Sequence, residues 1–259
     1  MPNQFAPMLP AVCDIARHAG AAIMEVYATD FSAARKADGS PVTEADTAAE
    51  AIILPALRTL TPDIAIVSEE HMADGAAPDI SSGNFWLVDP LDGTREFMKR
   101  NDEFTVNIGL IIDLEPVFGV LYAPALDTMF FGAGTGSAMR AQKDGDAQPI
   151  ACREISPDGI GVLVSRSHSR NERLDDYLAD KNVRERLPRG SALKFGVLAA
   201  GEADLYPRFG PTSEWDTAAG HAIVRAAGGD LETFDGQPFA YGKVDKKFLN
   251  PGFVAFGRR

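Results

Sequence analysis

The chain of 259 residues is 45% hydrophobic and carries 37 acidic against 25 basic residues, a formal charge of −12. That length suits one large folded unit or two smaller ones, and the acidic balance excludes nonspecific attraction to nucleic acid polymers or anionic membrane surfaces. Two cysteines, Cys13 and Cys152, support neither a disulfide framework nor a thiolate metal site and fit a reducing compartment.

The first residues, Met1 to Phe5, show no basic region followed by an apolar core, so no signal peptide is expected. No apolar run reaches membrane-spanning length, and a cytoplasmic location is the expectation. From Leu9 to Tyr27, apolar residues including Val12, Cys13, Ala16, Ala19 and Ile23 recur at helical spacing, which predicts an amphipathic helix. Ala33 to Val42 reads as a loop or hairpin close to any site; its Lys36 reads as solvated before it reads as a phosphate contact. A second helix is predicted from Val42 onward, and Thr43 followed three residues later by Asp46 has the form of a capping pair. Ile64 to Ser68 is a short strand that delivers Glu69 and Glu70 to its carboxyl end, where open α/β sheets place their chemistry.

Phe85-Trp86-Leu87-Val88 is a buried strand running into Asp89-Pro90-Leu91-Asp92-Gly93-Thr94. Pro90 and Gly93 stiffen that turn, and Thr94 reads as the N-cap of a helix near Arg95. Two carboxylates with a carbonyl between them form a hard, oxygen-rich nest suited to magnesium rather than zinc, and a helix N-terminus beside it favours an anion. Taken alone, the turn reads equally as two solvated aspartates capping a helix.

Strands at 104–112 and 116–122 form a hairpin, and 127–132 with 138–140 continue an antiparallel meander. A turn-rich stretch, Asp144 to Pro157, marks a boundary between a first half, 1–150, of helices on a mostly antiparallel sheet and a second, 151–259, with an α/β layer. In that second half, strands are predicted at 161–165, 205–206, 230–233 and 252–257, and helices at 171–179, 192–200 and 217–227. Trp215-Asp216-Thr217-Ala218-Ala219-Gly220 puts a further acid at a helix start, and small residues there permit close helix approach; alone, Asp216 reads as a cap before it reads as a ligand.

Asp89-Pro90-Leu91-Asp92-Gly93-Thr94, preceded by Ser68-Glu69-Glu70 and followed by Trp215-Asp216-Thr217-Ala218-Ala219-Gly220, resembles the inositol monophosphatase superfamily. The longer run from Asp92 to Ile108 is similar to the bacterial 3′(2′),5′-bisphosphate nucleotidase branch of that superfamily, as are Gly190 to Phe195 and Leu205 to Thr212. The likeness spans nearly the whole chain. The resemblance implies a layered αβαβα fold and a magnesium-dependent, lithium-sensitive phosphomonoesterase. The implied reaction turns adenosine 3′,5′-bisphosphate into AMP and phosphate and is linked to sulfate assimilation. Glu69, Asp89 and the Leu91 carbonyl would bind one ion, and Asp89, Asp92 and Asp216 a second. Glu70 would support the site or a third ion, and Asp46 with Thr94 would position the attacking water. Substrate contacts are implied for Glu69, Leu91, Asp92, Gly93, Thr94, Asp216, His168, Gly190 and Lys194. In isolation, His168 reads first as a surface or satisfied histidine, and Arg95, Lys99 and Arg100 read equally as a solvated helix face. The partner is a small nucleotide bisphosphate, a homodimer is compatible, and the membrane attachment ascribed to some relatives finds no anchor. The alternatives are inositol monophosphate or another sugar phosphate as substrate, and a nucleotide-binding sensor without chemistry.

Overall fold

A computed structural model describes residues 4–31, 33–35, 41–73, 75, 78–143, 145–166 and 172–258. Lys36 and His168 lie outside them. The chain folds as five layers, and each predicted amphipathic pattern finds a partner face.

Helices α1 (Leu9–Tyr27) and α2 (Glu44–Leu60) pack on each other and on one face of a seven-stranded sheet. Its strands run in the order β3 (Ala65–Ser68), β4 (Phe85–Asp92), β5 (Thr105–Ile112), β6 (Glu115–Ala123), β7 (Thr128–Gly132), β8 (Met139–Gln142) and β9 (Gln148–Pro149). Only the β3–β4 pair is parallel. The other face carries α7 (Glu214–Ala226) with α6 (Leu193–Ala199) beside it. Beyond these lies a mixed five-stranded sheet, in the order β11 (Val183–Arg189), β10 (Ile160–Ser165), β12 (Leu205–Arg208), β14 (Phe253–Phe256) and β13 (Asp230–Thr233). Helix α5 (Glu172–Leu178) covers its outer face through Leu174 and Leu178 on Val162 and Val164.

Strand β4 shows why the central sheet is buried on both sides. Trp86 and Val88 join the core under α1 and α2, whereas Phe85 and Leu87 join the core shared with α6 and α7. The alternation of a strand therefore reads as one continuous apolar run. Each such fully buried side chain contributes about 1.5–3 kcal/mol relative to exposure. By the same alternation Asp89 falls on the α7 side.

α7 sits unusually close to the sheet. Gly109 and Gly119 face each other across β5 and β6, and a Cβ on Gly119 would lie 2.2 Å from the Ala219 carbonyl oxygen. The Ala218-Ala219-Gly220 run supplies the matching small surface. A pair of hairpin strands, β1 (Ala33–Arg35) and β2 (Pro41–Thr43), leads into α2.

Several boundaries differ from the sequence reading. β4 continues through Pro90 to Asp92, because the β4–β5 register shifts between Asp89 and Asp92 and leaves Pro90 without a ladder position. Helix α7 begins at Glu214, capped by Ser213, so Asp216 is the third helical residue and closes a capping box. β11 was not expected, and β9 orders part of the stretch read as a linker.

Candidate active site

The end of β4 builds the centre. Asp89 pairs with Asn107 and Asp92 with Thr105, with an irregular Pro90-Leu91 segment between them; the Asp89 carboxylate lies near that of Asp216 on α7, and the Asp92 carboxylate meets Ser191 and Ala192. Leu91 N–H donates to Asp89 Oδ1 at 3.0 Å, which fixes that carboxylate from its own loop. Gly93 then takes φ +89° and caps the short helix α4 (Thr94–Met98). The cap expected of Thr94 is absent: its hydroxyl instead donates to the Leu91 carbonyl at 3.4 Å.

Two other elements bring in acids. Glu69 and Glu70 open α3 (Glu69–Ala73) at the carboxyl end of β3, and Asp216 comes from the first turn of α7. Carboxylate oxygens of Glu69, Asp89 and Asp216 lie within 4.8 Å of one another, an arrangement that could hold a metal ion. Asp89 is 2% exposed. Burial, and after it the negative charges of Asp92 and Glu69, push the Asp216 carboxyl well above its ordinary value. Such a cluster calls for a cation.

The donor set is all oxygen and suits a hard divalent ion. A further sign comes from Asn107, opposite Asp89 and 1% exposed, whose amide nitrogen and oxygen both lack a hydrogen-bond partner among the described residues. An orphaned amide is costly, about 1–3 kcal/mol, and is accounted for when an ion and its water fill the neighbouring space. The β3–α3 junction is braced from α2: Glu50 accepts from the Ser68 hydroxyl and stands 3.2 Å from His71 Nδ1.

Asp46 is 2% exposed, and its Oδ2 accepts the Thr43 N–H at 2.7 Å and the Thr43 hydroxyl at 2.8 Å. The capping reading of Thr43 and Asp46 is thus what the fold displays at the start of α2. Helix α4, which bears Thr94, packs against β2 immediately before that cap, so Asp46 and Thr94 share one corner.

Next to the acids is a cavity of about 140 Å³ lined by Asp92, Arg95, Ser191, Lys194, Arg208 and Asp216, among others. Both acids and cations border this one cavity. Asp92 Oδ2 accepts from the Ser191 hydroxyl at 2.8 Å and from Ala192 N–H at 2.5 Å, so the 190–192 turn is fastened to the central strand. Lys194 is buried, its ammonium donating to the carbonyls of Ser191 at 2.5 Å and Arg189 at 3.3 Å, and burial lowers its pKa to about 8. Gly190 is required by packing, since a Cβ there would stand 2.7 Å from Glu96 Cγ.

Sequence reasoning assigned no role to Arg208, Ser191 or Asn107. Arg208 lines the cavity with a buried Nε that has no partner among the described residues, and only its place in Leu205-Tyr206-Pro207-Arg208 hinted at it. Arg100 belongs elsewhere: its guanidinium donates to the carbonyls of Tyr27 and Thr29 and lies over the Tyr27 and Phe31 rings. The cysteines offer no nucleophile, because burial raises Cys13 to about 12 and Cys152 to about 11.

The comparisons agree with this geometry. The profile of the inositol monophosphatase family matches residues 4–250. The chain is 50% identical over 250 residues to the 3′(2′),5′-bisphosphate nucleotidase CysQ of Salmonella typhimurium, covering 95% of this chain and 98% of that protein. The Escherichia coli K12 protein of the same name is 47% identical over 248 residues, with 95% and 98% covered. Among solved structures, CysQ from Bacteroides thetaiotaomicron superposes with a TM-score of 0.81 at 34% identity over 99% of both chains. Inositol monophosphatase from Anabaena does so at 0.74 and 27% identity, over 96% of this chain and 92% of that one. With a family profile running nearly end to end and carboxylates from β4, α3 and α7 meeting at one point, the chain belongs to the inositol monophosphatase family.

Proposed function

We propose that the protein is a magnesium-dependent 3′(2′),5′-bisphosphate nucleotidase that hydrolyses adenosine 3′,5′-bisphosphate to AMP and phosphate. The observation that carries this reading is the cavity that Asp216, a member of the carboxylate cluster, and Asp92 share with Lys194 and Arg208, a set of charges suited to a substrate with two phosphates. The names borne by relatives near 50% identity support the choice of substrate.

Glu69, Asp89 and the Leu91 carbonyl would hold one Mg2+, and Asp89, Asp92 and Asp216 a second, with Glu70 behind Glu69. When bound, the ions neutralise the phosphoryl oxygens and acidify the attacking water. The Thr94 hydroxyl, in the corner shared with Asp46, would orient that water by accepting a hydrogen bond from it while donating one to the Asp46 carboxylate. Asp92 is kept in place by the Ser191 hydroxyl and the Ala192 N–H. Lys194 and Arg208, which line the cavity, would lie on the leaving side, where their positive charge would receive the second phosphate; Gly190 would shape the turn, and His168 is proposed as a nucleoside contact on resemblance alone. In this reading the segment 1–150 supplies most ion ligands and 151–259 supplies Asp216 and the nucleotide contacts. Lithium inhibition and removal of the by-product of sulfate activation belong to the same proposal. No helix among the described residues is long and apolar enough to cross a membrane.

Phosphate release from adenosine 3′,5′-bisphosphate, inositol 1-phosphate and 3′-AMP, each with and without Mg2+, tests the proposal. The bisphosphate should give the highest kcat/KM and only with Mg2+. Faster turnover of inositol 1-phosphate would replace the nucleotide substrate with a sugar phosphate.

A further inference from the structure

Glu103 gathers three donors from parts of the chain that are otherwise apart. Its Oε2 and Oε1 accept from Arg166 Nε at 2.9 Å and Nη2 at 2.7 Å, and Oε2 also accepts the Gly190 N–H at 2.6 Å. The residue is 9% exposed. Burial alone would raise its carboxyl, but the Arg166 hydrogen bonds, the Gly190 N–H and the charges of Arg166 and Arg189 outweigh it and hold the carboxyl below its ordinary value. A planar guanidinium held bidentately along its Nε–Nη2 edge and a backbone N–H on the same carboxylate make a rigid fork.

The residues adjoining these contacts matter for the cavity. Arg166 comes directly after Ser165 and Gly190 directly before Ser191, and both serines line the cavity. Ser191 takes φ +50°, its hydroxyl lies 2.6 Å from that of Thr105, and its carbonyl accepts from Lys194. The backbone that fixes Lys194 is therefore anchored through Gly190 to Glu103. Glu103 itself does not line the cavity.

We propose that Glu103 is a positioning residue for substrate selectivity: by clamping Arg166 and Gly190 together, it sets the Ser165 and Ser191 rims and the lysine behind them for a substrate bearing a second phosphate. The inference rests on the bisphosphate nucleotidase reading. The reacting phosphate has its own carboxylate cluster, so loss of the clamp should fall chiefly on the leaving side of the substrate.

The test compares kcat/KM for adenosine 3′,5′-bisphosphate with that for 4-nitrophenyl phosphate, at saturating Mg2+, in wild type, Glu103→Gln, Arg166→Gln and the double variant. The ratio of the two should fall at least about tenfold in each single variant, the loss expected for a hydrogen bond to a charged group. The fall should come mainly from KM of the bisphosphate, and the double variant should lose little more than either single one. A purely structural role lowers the folded fraction and so reduces both rates in parallel; a ratio within about twofold of wild type overturns the inference. If Glu103→Gln lacks a cooperative thermal transition, Arg166→Gln decides by the same ratio, since that side chain is 44% exposed and its loss spares the core. A wild-type enzyme that shows no preference for the bisphosphate removes the substrate reading instead, which separates the two failures.

Discussion

Replacing Asp216 by asparagine should make the metal-free protein more stable and the magnesium-loaded enzyme inactive. Its ligand oxygen lies within 4.8 Å of those of Glu69 and Asp89, and two unit charges at that distance repel by about 3.5 kcal/mol at an effective dielectric near 20. The raised Asp216 pKa relieves part of this by keeping a proton, so a gain of about 1–3 kcal/mol is the realistic range without metal. In a chain of this size that corresponds to a rise of roughly 2–4 °C in Tm per kcal/mol. The cap survives, because the amide oxygen of asparagine can still accept the Ser213 N–H that Asp216 Oδ2 accepts at 2.8 Å. The pH dependence follows from the direction of the shift. A carboxyl that holds its proton more tightly folded than unfolded loses its stabilising contribution as pH rises from about 4 through the raised value; Asp216→Asn should flatten that slope. Magnesium displaces the proton, so its affinity for wild type should tighten with pH. The assay is a thermal melt in EDTA and across a Mg2+ titration, paired with phosphate release, where at least about a hundredfold loss is expected. An EDTA midpoint below wild type would refute the repulsion, and an undiminished Mg2+-induced shift would remove Asp216 from the ion's ligands.

Asn107→Leu, which removes the orphaned amide opposite Asp89, should raise the EDTA melting point by about 1–2 kcal/mol equivalent while raising the Mg2+ concentration for half-maximal activity about tenfold; an unaltered Mg2+ titration would detach Asn107 from the ion. Gly119→Ala drives a methyl to 2.2 Å from the Ala219 carbonyl oxygen and should cost about 3 kcal/mol or more in urea unfolding, with activity falling because α7 carries Asp216; a wild-type melt would show that the helix–sheet approach is slack. Away from the site, Asp204 accepts both Arg153 Nε and Nη2 at 2.7 Å and the Gly161 N–H at 2.6 Å. Burial opposes its ionisation, yet these partners hold its carboxyl below the ordinary value. Its contribution is therefore present above about pH 4 and lost as pH falls through the folded value. Asp204→Asn should lower stability by about 3–5 kcal/mol at pH 7 and weaken the acid dependence, as measured by melts between pH 3 and 7, while KM for substrate stays constant.

Much of the centre was legible because single strands hand their charges to one end. Ile64–Ser68 before Glu69, and Phe85–Val88 before Asp89, announce carboxylates at strand termini in any open sheet. By its own residues Thr43 with Asp46 was legible as a cap, and the cap is there; a capping carboxylate and a functional one use the same short sequence, so the catalytic part given to Asp46 came from the family resemblance, and in the fold its link to the site is the packing of α4 on β2. β11 escaped notice because Val183-Arg184-Glu185-Arg186-Leu187-Pro188-Arg189 is an edge strand, exposed at every second residue and carrying charges and a proline that suppress further pairing. The start of α7 was misplaced because Asp216 resembles an N-cap, when the capping box puts Ser213 in that role and the acid one turn inside.

What no local pattern displays is convergence. Glu103 reaches Arg166 across 63 residues and Gly190 across 87, contacts that arise only after the two sheets sandwich α6 and α7. The same holds for Asp216, whose distance from Asp89 depends on two glycines in another pair of strands. Gly109 and Gly119 contribute no chemistry, yet a methyl on either would lift α7 off β5 and β6 and carry one carboxylate out of the 4.8 Å cluster. Backbone proximity thus sets the electrostatics: the strands omit side chains where the helix must approach, the approach forces like charges together, and a cation then becomes the component that makes the folded arrangement favourable.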